Sequence, residues 1–426
     1  MKLTPSMKFE PLIIYEPEER FELSTCCLRN SYSTAELLRR YLIYPSKNGS
    51  KLLDLTMMNY LKEAKIKGKT MRFPIYFPDA TRAVVRSLDN QDLKEAGIEG
   101  FILNSYHLMS MPGTRTIKKL GGMKKYMNWP GFAISDSGGW QLLSLIYKNK
   151  SFGKITDDGV VFFRGSKGKR KNYYFSPEKS IQVQMDLNTD IIICLDDCPG
   201  KNASKKQTEL STQRTIDWAK RCKIEYLKQI KKRKLSLKDR PLILAVVQGG
   251  QYKNLRKKCA DELLKVGFDG YGLGGWLTDK TGKIDLDTIG FISKCLPDNL
   301  PKFALGVGYP QDIIDLTKLG YHIFDCVIPT RDARHKRLYA WAKNPDKADI
   351  LKEKNLFKRF YPDKARYALD KKPVSRFCDC RLCQNYSRAY LYHLFKIGDS
   401  LAWRLATIHN LRLYTKLIEL LRKNVK

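Results

Sequence analysis

From Met71 onward the chain repeats one unit, and that repetition limits the possible folds more than any other feature. Each unit is a short apolar run, closed by small or polar residues and followed by a stretch with helical spacing. The runs are Arg72–Phe77, Gly100–Leu103, Phe132–Ser135, Asp190–Leu195, Leu242–Val247, Tyr271–Gly274, Phe303–Val307 and His322–Val327. Strands separated by helices pair in parallel, because the crossover helix returns the chain to the same edge of the sheet. Eight such units predict an α/β fold of the (β/α)8 TIM-barrel type, with reactive groups at the C-terminal ends of the strands. An open doubly wound sheet is the alternative and would leave the last two units without a place. The long gap after the third run, which holds Arg164, Lys167, Lys169, Arg170 and Lys171, has room for an inserted hairpin.

Most of the runs end on polar or small residues: Asn104, Asp136, Asp196, Gln248, Gly274-Gly275, Gly306-Val307-Gly308 and, inside the last run, Asp325. A lone aspartate after a strand often caps the next helix. Three on one barrel mouth suggest more, because paired carboxylates facing a sugar carbon can divide the roles of nucleophile and acid/base in glycosyl transfer. Gly138, Gly139, Gly274 and Gly275 would let backbone amides approach a planar ligand, and Trp140 could stack on it.

Charge narrows the class of partner. The 426 residues carry 78 Lys+Arg against 44 Asp+Glu, a net charge of +34, which favours a polyanion such as nucleic acid. Nine of the basic residues lie between Arg221 and Arg240, a cluster that also reads as a solvated helix face. No run of 18 apolar residues exists and the N-terminus lacks the order of a secretory signal, so the expected address is cytoplasmic, with no membrane partner. The odd count of 11 cysteines argues against a disulfide framework. Cys378, Cys380 and Cys383 form a C-x-C-x2-C cluster that calls for a metal, Zn2+ by default, with a fourth ligand further on. Of the five histidines, His393 and His409 lie downstream, and spacing alone does not choose between them.

At these residues the chain resembles the tRNA-guanine transglycosylases, of the bacterial-like type. The matching segments are Asn104-Ser-Tyr-His-Leu108, Ser135-Asp-Ser-Gly-Gly-Trp-Gln141, Phe175-Ser-Pro-Glu-Lys-Ser180, Asp196-Asp-Cys198 and Val247-Gln-Gly-Gly250. They continue through Gly272-Leu-Gly-Gly275, Gly306-Val-Gly-Tyr-Pro310, Phe324-Asp-Cys-Val-Ile-Pro-Thr-Arg331, the cysteine cluster and Thr407-Ile-His-Asn-Leu411. The resemblance implies a barrel with a zinc-binding subdomain inserted after the eighth strand. The implied activity is exchange of guanine at the anticodon wobble position of GUN-class tRNA for a 7-deazaguanine. It implies Asp325 as a nucleophile that forms a covalent RNA intermediate, and Asp136 as proton acceptor and recognition group. Asp196, Gln248, Gly275, Ser137 and Asn104 would contact the base, Trp140 would stack on it, and Arg331 and Arg334 would hold the RNA. The zinc ligands become Cys378, Cys380, Cys383 and His409, and the working unit a homodimer.

On this reading residues 1–69 form an extension, largely irregular, with a possible helix around Ala35 to Tyr44 and a polar linker at Ser46 to Ser50. Residues 70–330 form the barrel, 331–399 the zinc-binding subdomain, and 400–426 a C-terminal helix that closes the barrel and carries the last zinc ligand. Departures from the bacterial pattern are Asp197 where a glutamate is usual, the bulky Trp276-Leu277-Thr278 after Gly275, Asp332 between the two arginines, and His335-Lys336-Arg337. They leave open which 7-deazaguanine is accepted. Two other functions fit a similar chain: a relative that modifies DNA, and a non-catalytic RNA-binding subunit. The presence of both Asp136 and Asp325 argues against the second.

Overall fold

The computed structural model describes residues 60–164, 171–275, 278 and 282–425. The expected helix near Ala35, the Ser46–Ser50 linker, the inserted basic residues Lys167, Lys169 and Arg170, and the departure at Trp276-Leu277 lie outside them.

Eight parallel strands make a nearly closed barrel: β3 (Ile75–Pro78), β4 (Gly100–Leu103), β5 (Phe132–Ser135), β9 (Ile191–Ile193), β10 (Leu242–Val247), β11 (Gly270–Leu273), β12 (Lys302–Ala304) and β13 (Ile323–Cys326). The first strand pairs with the last, Asp325 opposite Phe77. Its other neighbour, β4, is joined by a single bridge from Asp79 to Ile102, where the Ala80 N–H donates to the Ile102 carbonyl at 2.8 Å. The expected barrel is therefore present, and each of the eight apolar runs carries its strand.

The first run needs one correction. Its leading residue belongs to a separate antiparallel hairpin, β1 (Glu63–Ile66) with β2 (Lys69–Arg72), and the barrel strand starts after Pro74. Proline has no N–H to continue a ladder, so the chain breaks there. The hairpin also means that residues 63–69 are regular, although the sequence suggested an irregular lead-in. Ile66, Met71 and Phe73 are buried in the same cluster as the barrel interior, each contributing about 1.5–3 kcal/mol of burial. Tyr60 donates from its hydroxyl to the Tyr321 carbonyl at 2.9 Å.

Alternation along the strands sets the two sides of the wall. Ile75, Phe77, Ile102, Phe132, Ile134, Ile191, Ile193, Leu244, Val246, Phe303 and Ile323 fill the barrel, and the residues between them, such as Tyr76, Phe101, Ala245 and Phe324, pack outward against helices. After β5 the chain makes a three-stranded antiparallel sheet, β6 (Gly153–Ile155), β7 (Val160–Arg164) and β8 (Lys171–Phe175), one strand more than the expected hairpin.

After the last barrel strand come the helix Ile328–Arg334, a hairpin of β14 (Leu338–Trp341) and β15 (Phe357–Phe360), and the cysteine segment. The helix Ser400–Asn424 starts on the Asp399 cap and returns to the barrel wall. There the Tyr414 hydroxyl donates to the Gly308 carbonyl, and the Thr415 hydroxyl to the Ala96 carbonyl at 2.6 Å. Among the described residues no helix is long and apolar enough to cross a membrane.

Candidate active site and metal centre

In six of the eight strands the residue two places beyond the last inward-facing position points into the mouth. Phe77 leads to Asp79, Ile102 to Asn104, Ile134 to Asp136, Val246 to Gln248, Gly272 to Gly274 and Ile323 to Asp325. In β9 Leu195 turns into the outer core and Asp196 reaches the mouth through the loop, and in β12 Phe303 leads to Leu305, which packs on the interior cluster.

Asp136 is held from three sides. The Asn104 amide donates to Oδ2 at 2.8 Å, and the backbone N–H groups of Ser105 and Gly138 donate to Oδ1 at 2.9 Å each. Asn104 is fixed in turn as the cap of the helix Ser105–Ser110, accepting from the His107 N–H at 3.0 Å. Gly138 sits at φ +76, a conformation that a side chain would strain. Burial still wins over these donors and pushes the Asp136 carboxyl up to about 7. Asp325 accepts one bond, from the Gly306 N–H at 2.8 Å, and burial pushes it up to about 7 as well, with Asp79 and Asp136 adding repulsion. Two carboxyls that titrate near neutrality on one mouth can exchange protons at working pH.

Across the barrel, the Gln248 amide donates to Asp196 Oδ2 at 2.7 Å, and burial raises Asp196 to about 6. Gln248 Oε1 is buried and has no bonding partner among the described residues. Gly275, at φ +97, lies where a Cβ would come within 3.0 Å of that oxygen, so only glycine leaves it open. Ser137 is buried, its hydroxyl accepting from the Gly139 N–H at 3.2 Å. Trp140 stands in the first turn of the helix Gly139–Lys148 and is 44% exposed. Asp197, the departure from the bacterial glutamate, is buried and paired with Arg214.

Arg331 and Arg334 come from the helix that follows Asp325, and line a cavity of about 440 Å³ together with Asp79, Arg82 and Arg86. Asp332 between them is buried, accepts from the Tyr339 hydroxyl at 2.6 Å and lies 3.7 Å from Arg331 Nε. In the basic cluster Arg221–Arg240 the arginines are engaged within the fold, Arg221 with Glu178, Arg233 with Asp186 and Arg240 with Asp269.

Two residues at the mouth have no counterpart in the sequence reading. Asp79 is one; the two-residue step from Phe77 was the available signal. Arg256 is the other. Fully buried, it donates to the carbonyls of Gly250 at 2.8 Å, Val247 at 2.6 Å and Gly274 at 2.8 Å, which ties the turns after β10 and β11 together.

Below the hairpin lies the Cys378, Cys380, Cys383 and His409 cluster, all four buried, with ligand atoms within 4.8 Å of one another. His409 Nδ1 stands 3.5, 3.4 and 3.3 Å from the three sulfurs in turn. Its Nε2 is 2.7 Å from the Tyr339 carbonyl, which places the proton on Nε2 and turns the Nδ1 lone pair toward the thiols. The group could hold one metal ion. His393 is exposed and stands outside the cluster.

The family described as "Queuine tRNA-ribosyltransferase" matches residues 61–426. Curated relatives named "Queuine tRNA-ribosyltransferase" include one from Thermoanaerobacter pseudethanolicus, 37% identical over 353 residues, covering 83% of this chain and 86% of the relative. Another, from a Psychrobacter species, is 35% identical over 352 residues with the same coverage. A third, from Dehalococcoides mccartyi, is 36% identical over 353 residues and covers 83% of this chain and 82% of its own.

Proposed function

Because the chain belongs to the queuine tRNA-ribosyltransferase family, and is accordingly a transferase, we propose that it exchanges guanine at the wobble position of GUN-class tRNA for a 7-deazaguanine. The Asp325 carboxylate attacks the ribose anomeric carbon as the bond to guanine breaks, giving a ribosyl ester of the protein. The departing guanine nitrogen keeps the bonding electron pair and takes a proton from Asp136. In the second half the incoming base gives its N–H proton to Asp136, its nitrogen attacks the same carbon, and Asp325 leaves. One proton and one ester are made and consumed, with no redox or nucleotide cofactor in the balance.

The observation that carries this reading is the pair Asp136 and Asp325, both pushed up to about 7 on one mouth. A group titrating there is protonated often enough to act as acid and ionised often enough to act as base or nucleophile. Asp196, Gln248 and Gly275 offer acceptors and an open backbone to the base edge, with Gln248 Oε1 ready for a base N–H. Asn104 supports Asp136, Ser137 lies beside it as a further contact for the base, and Trp140 supplies an aromatic face. The neighbouring cavity of about 350 Å³, lined by Lys201, Asn202, Tyr252 and Gly275, has room for a substituent on the deazaguanine. Arg331 and Arg334 hold the RNA backbone, in a homodimer whose surroundings are the cytoplasm.

The Cys3His group fits a structural zinc. Tetrahedral coordination at ordinary zinc–sulfur and zinc–nitrogen lengths puts sulfur and nitrogen about 3.5 Å apart, which agrees with the distances from His409 to the three sulfurs. Four protein ligands leave no open position, so the ion would brace the subdomain and take no part in the exchange.

The test is incorporation of labelled guanine into an unmodified tRNA and into duplex DNA, followed by exchange with queuine, its aminomethyl precursor and its cyano precursor, read as nucleoside mass. Uptake into tRNA supports the proposal. Uptake into DNA alone, or into neither polymer, refutes it.

A further inference from the structure

Asp79 belongs to the ring of mouth residues, yet the base exchange gives it nothing to do. It closes β3, between β13, which carries Asp325, and β4, which leads to Asn104. Its charge is felt at Asp325, at Asp136 and at Arg334. Oδ1 is fixed by Thr81, whose backbone N–H donates at 3.1 Å and whose hydroxyl donates to the same atom. Among the described residues Oδ2 receives no hydrogen bond.

The carboxylate also opens on the cavity of about 440 Å³ whose other walls include Arg82, Arg86, Arg331 and Arg334. Arg82 and Arg86 are exposed and make no ion pair among the described residues. Four guanidiniums around one space suit a phosphate. A carboxylate in the same space would repel that phosphate, so it must face a donor on the same ligand. A nucleotide has both features, since its phosphate and its sugar hydroxyls lie one residue-length apart. The hydroxyl nearest the anomeric carbon, the atom within reach of Asp325, is the 2′-hydroxyl.

Resting on the base-exchange reading, we propose that Asp79 accepts a hydrogen bond from the 2′-hydroxyl of the nucleotide under attack and so makes the site select RNA over DNA. The 2′-hydroxyl is what distinguishes the two polymers at a single position.

The experiment uses the full chain and two RNA stem-loops that differ only by a 2′-deoxy sugar at the exchanged nucleotide, with kcat/KM measured for guanine exchange on each. Dividing the ribo by the deoxy value, and then wild type by variant, cancels the different intrinsic lability of the two glycosidic bonds. Asp79→Ala should reduce the ribo-to-deoxy ratio by roughly ten- to hundredfold, the worth of one charge-assisted hydrogen bond, and almost all of the loss should fall on the ribo substrate. Asp79→Asn keeps an oxygen for Thr81 and replaces only the second acceptor, so it tests the same point if the alanine variant misfolds; its ratio should fall by at least about threefold. An unchanged ratio in Asp79→Asn, or equal slowing of both substrates, overturns the proposal while leaving base exchange intact. Wild-type protein that exchanges guanine on neither stem-loop overturns the reading beneath it.

Discussion

Replacing Asp325 by asparagine should make the protein more stable as well as inactive, and the gain should depend on pH. Asparagine has the same shape and keeps an oxygen for the Gly306 N–H, at 2.8 Å in the native protein. What it removes is a charge held in a place that resists charge: burial moves the carboxyl from its ordinary 3.8 to about 7. An aspartate whose folded pKa lies above its unfolded one binds its proton more tightly when folded. Its penalty is therefore absent below pH 4, grows as pH rises from 4 to 7, and is complete above 7. Three decades at about 1.4 kcal/mol each give an upper bound of about 4 kcal/mol. Asp325 is only partly buried, and solvent screening trims this to about 2 kcal/mol. Thermal unfolding of wild type and Asp325→Asn at pH 4, 6 and 8.5 is the assay. The midpoints should coincide at pH 4, and the variant should lead by several degrees at pH 8.5. A variant that is less stable at every pH, or whose advantage does not change with pH, would show that the site imposes no charge penalty on Asp325, and the raised pKa on which the acid–base argument rests would fall.

Other parts of the site give independent checks. Arg256→Met removes three donors from buried carbonyls, at about 1–3 kcal/mol each when left unpaired, partly offset by relief of a buried charge. The variant should fold with unfolding free energy lower by about 2–4 kcal/mol, and its exchange should show a raised KM for the base, since Gly274 and Gln248 lose their common support; an unaltered KM would count against that role. For the metal, Cys380→Ser should lose zinc and solubility together, whereas His393→Ala should retain one zinc per chain by metal analysis. Zinc retained without Cys380, or lost with His393, would contradict the ligand set.

Much of the barrel could be read directly because burial on both faces of a parallel strand writes an unbroken apolar run. Gly100–Leu103, Phe132–Ser135 and Leu242–Val247 are strands at the bounds that the sequence suggests. The first run misled because two strands from different sheets, separated by Pro74, meet inside it. Candidate residues were legible where they follow a run directly, as Asp136 and Gln248 do. Asp79 was not, because Pro78-Asp79-Ala80-Thr81 reads as a turn, and its orientation depends on how the first strand closes the barrel. Arg256 was hidden for another reason. Between Lys253 and Lys258 it looks like part of a solvated helix face, and only packing beneath the Gly249-Gly250 turn buries it. Spacing left His393 and His409 equal, and the Tyr339 carbonyl that orients His409 is contributed by a strand some 70 residues earlier.

The central claim is a covalent step at Asp325, and the most direct measurement is to trap it. Full-length protein is mixed with end-labelled tRNA, quenched in denaturant during turnover, and digested, and the peptide carrying the ribosyl adduct is identified by mass. The account predicts a denaturant-resistant protein–RNA species whose modified peptide spans Ile323–Cys326, with the adduct on Asp325 and none formed by Asp325→Asn. An adduct on any other residue, or base exchange that continues in Asp325→Asn, would contradict it.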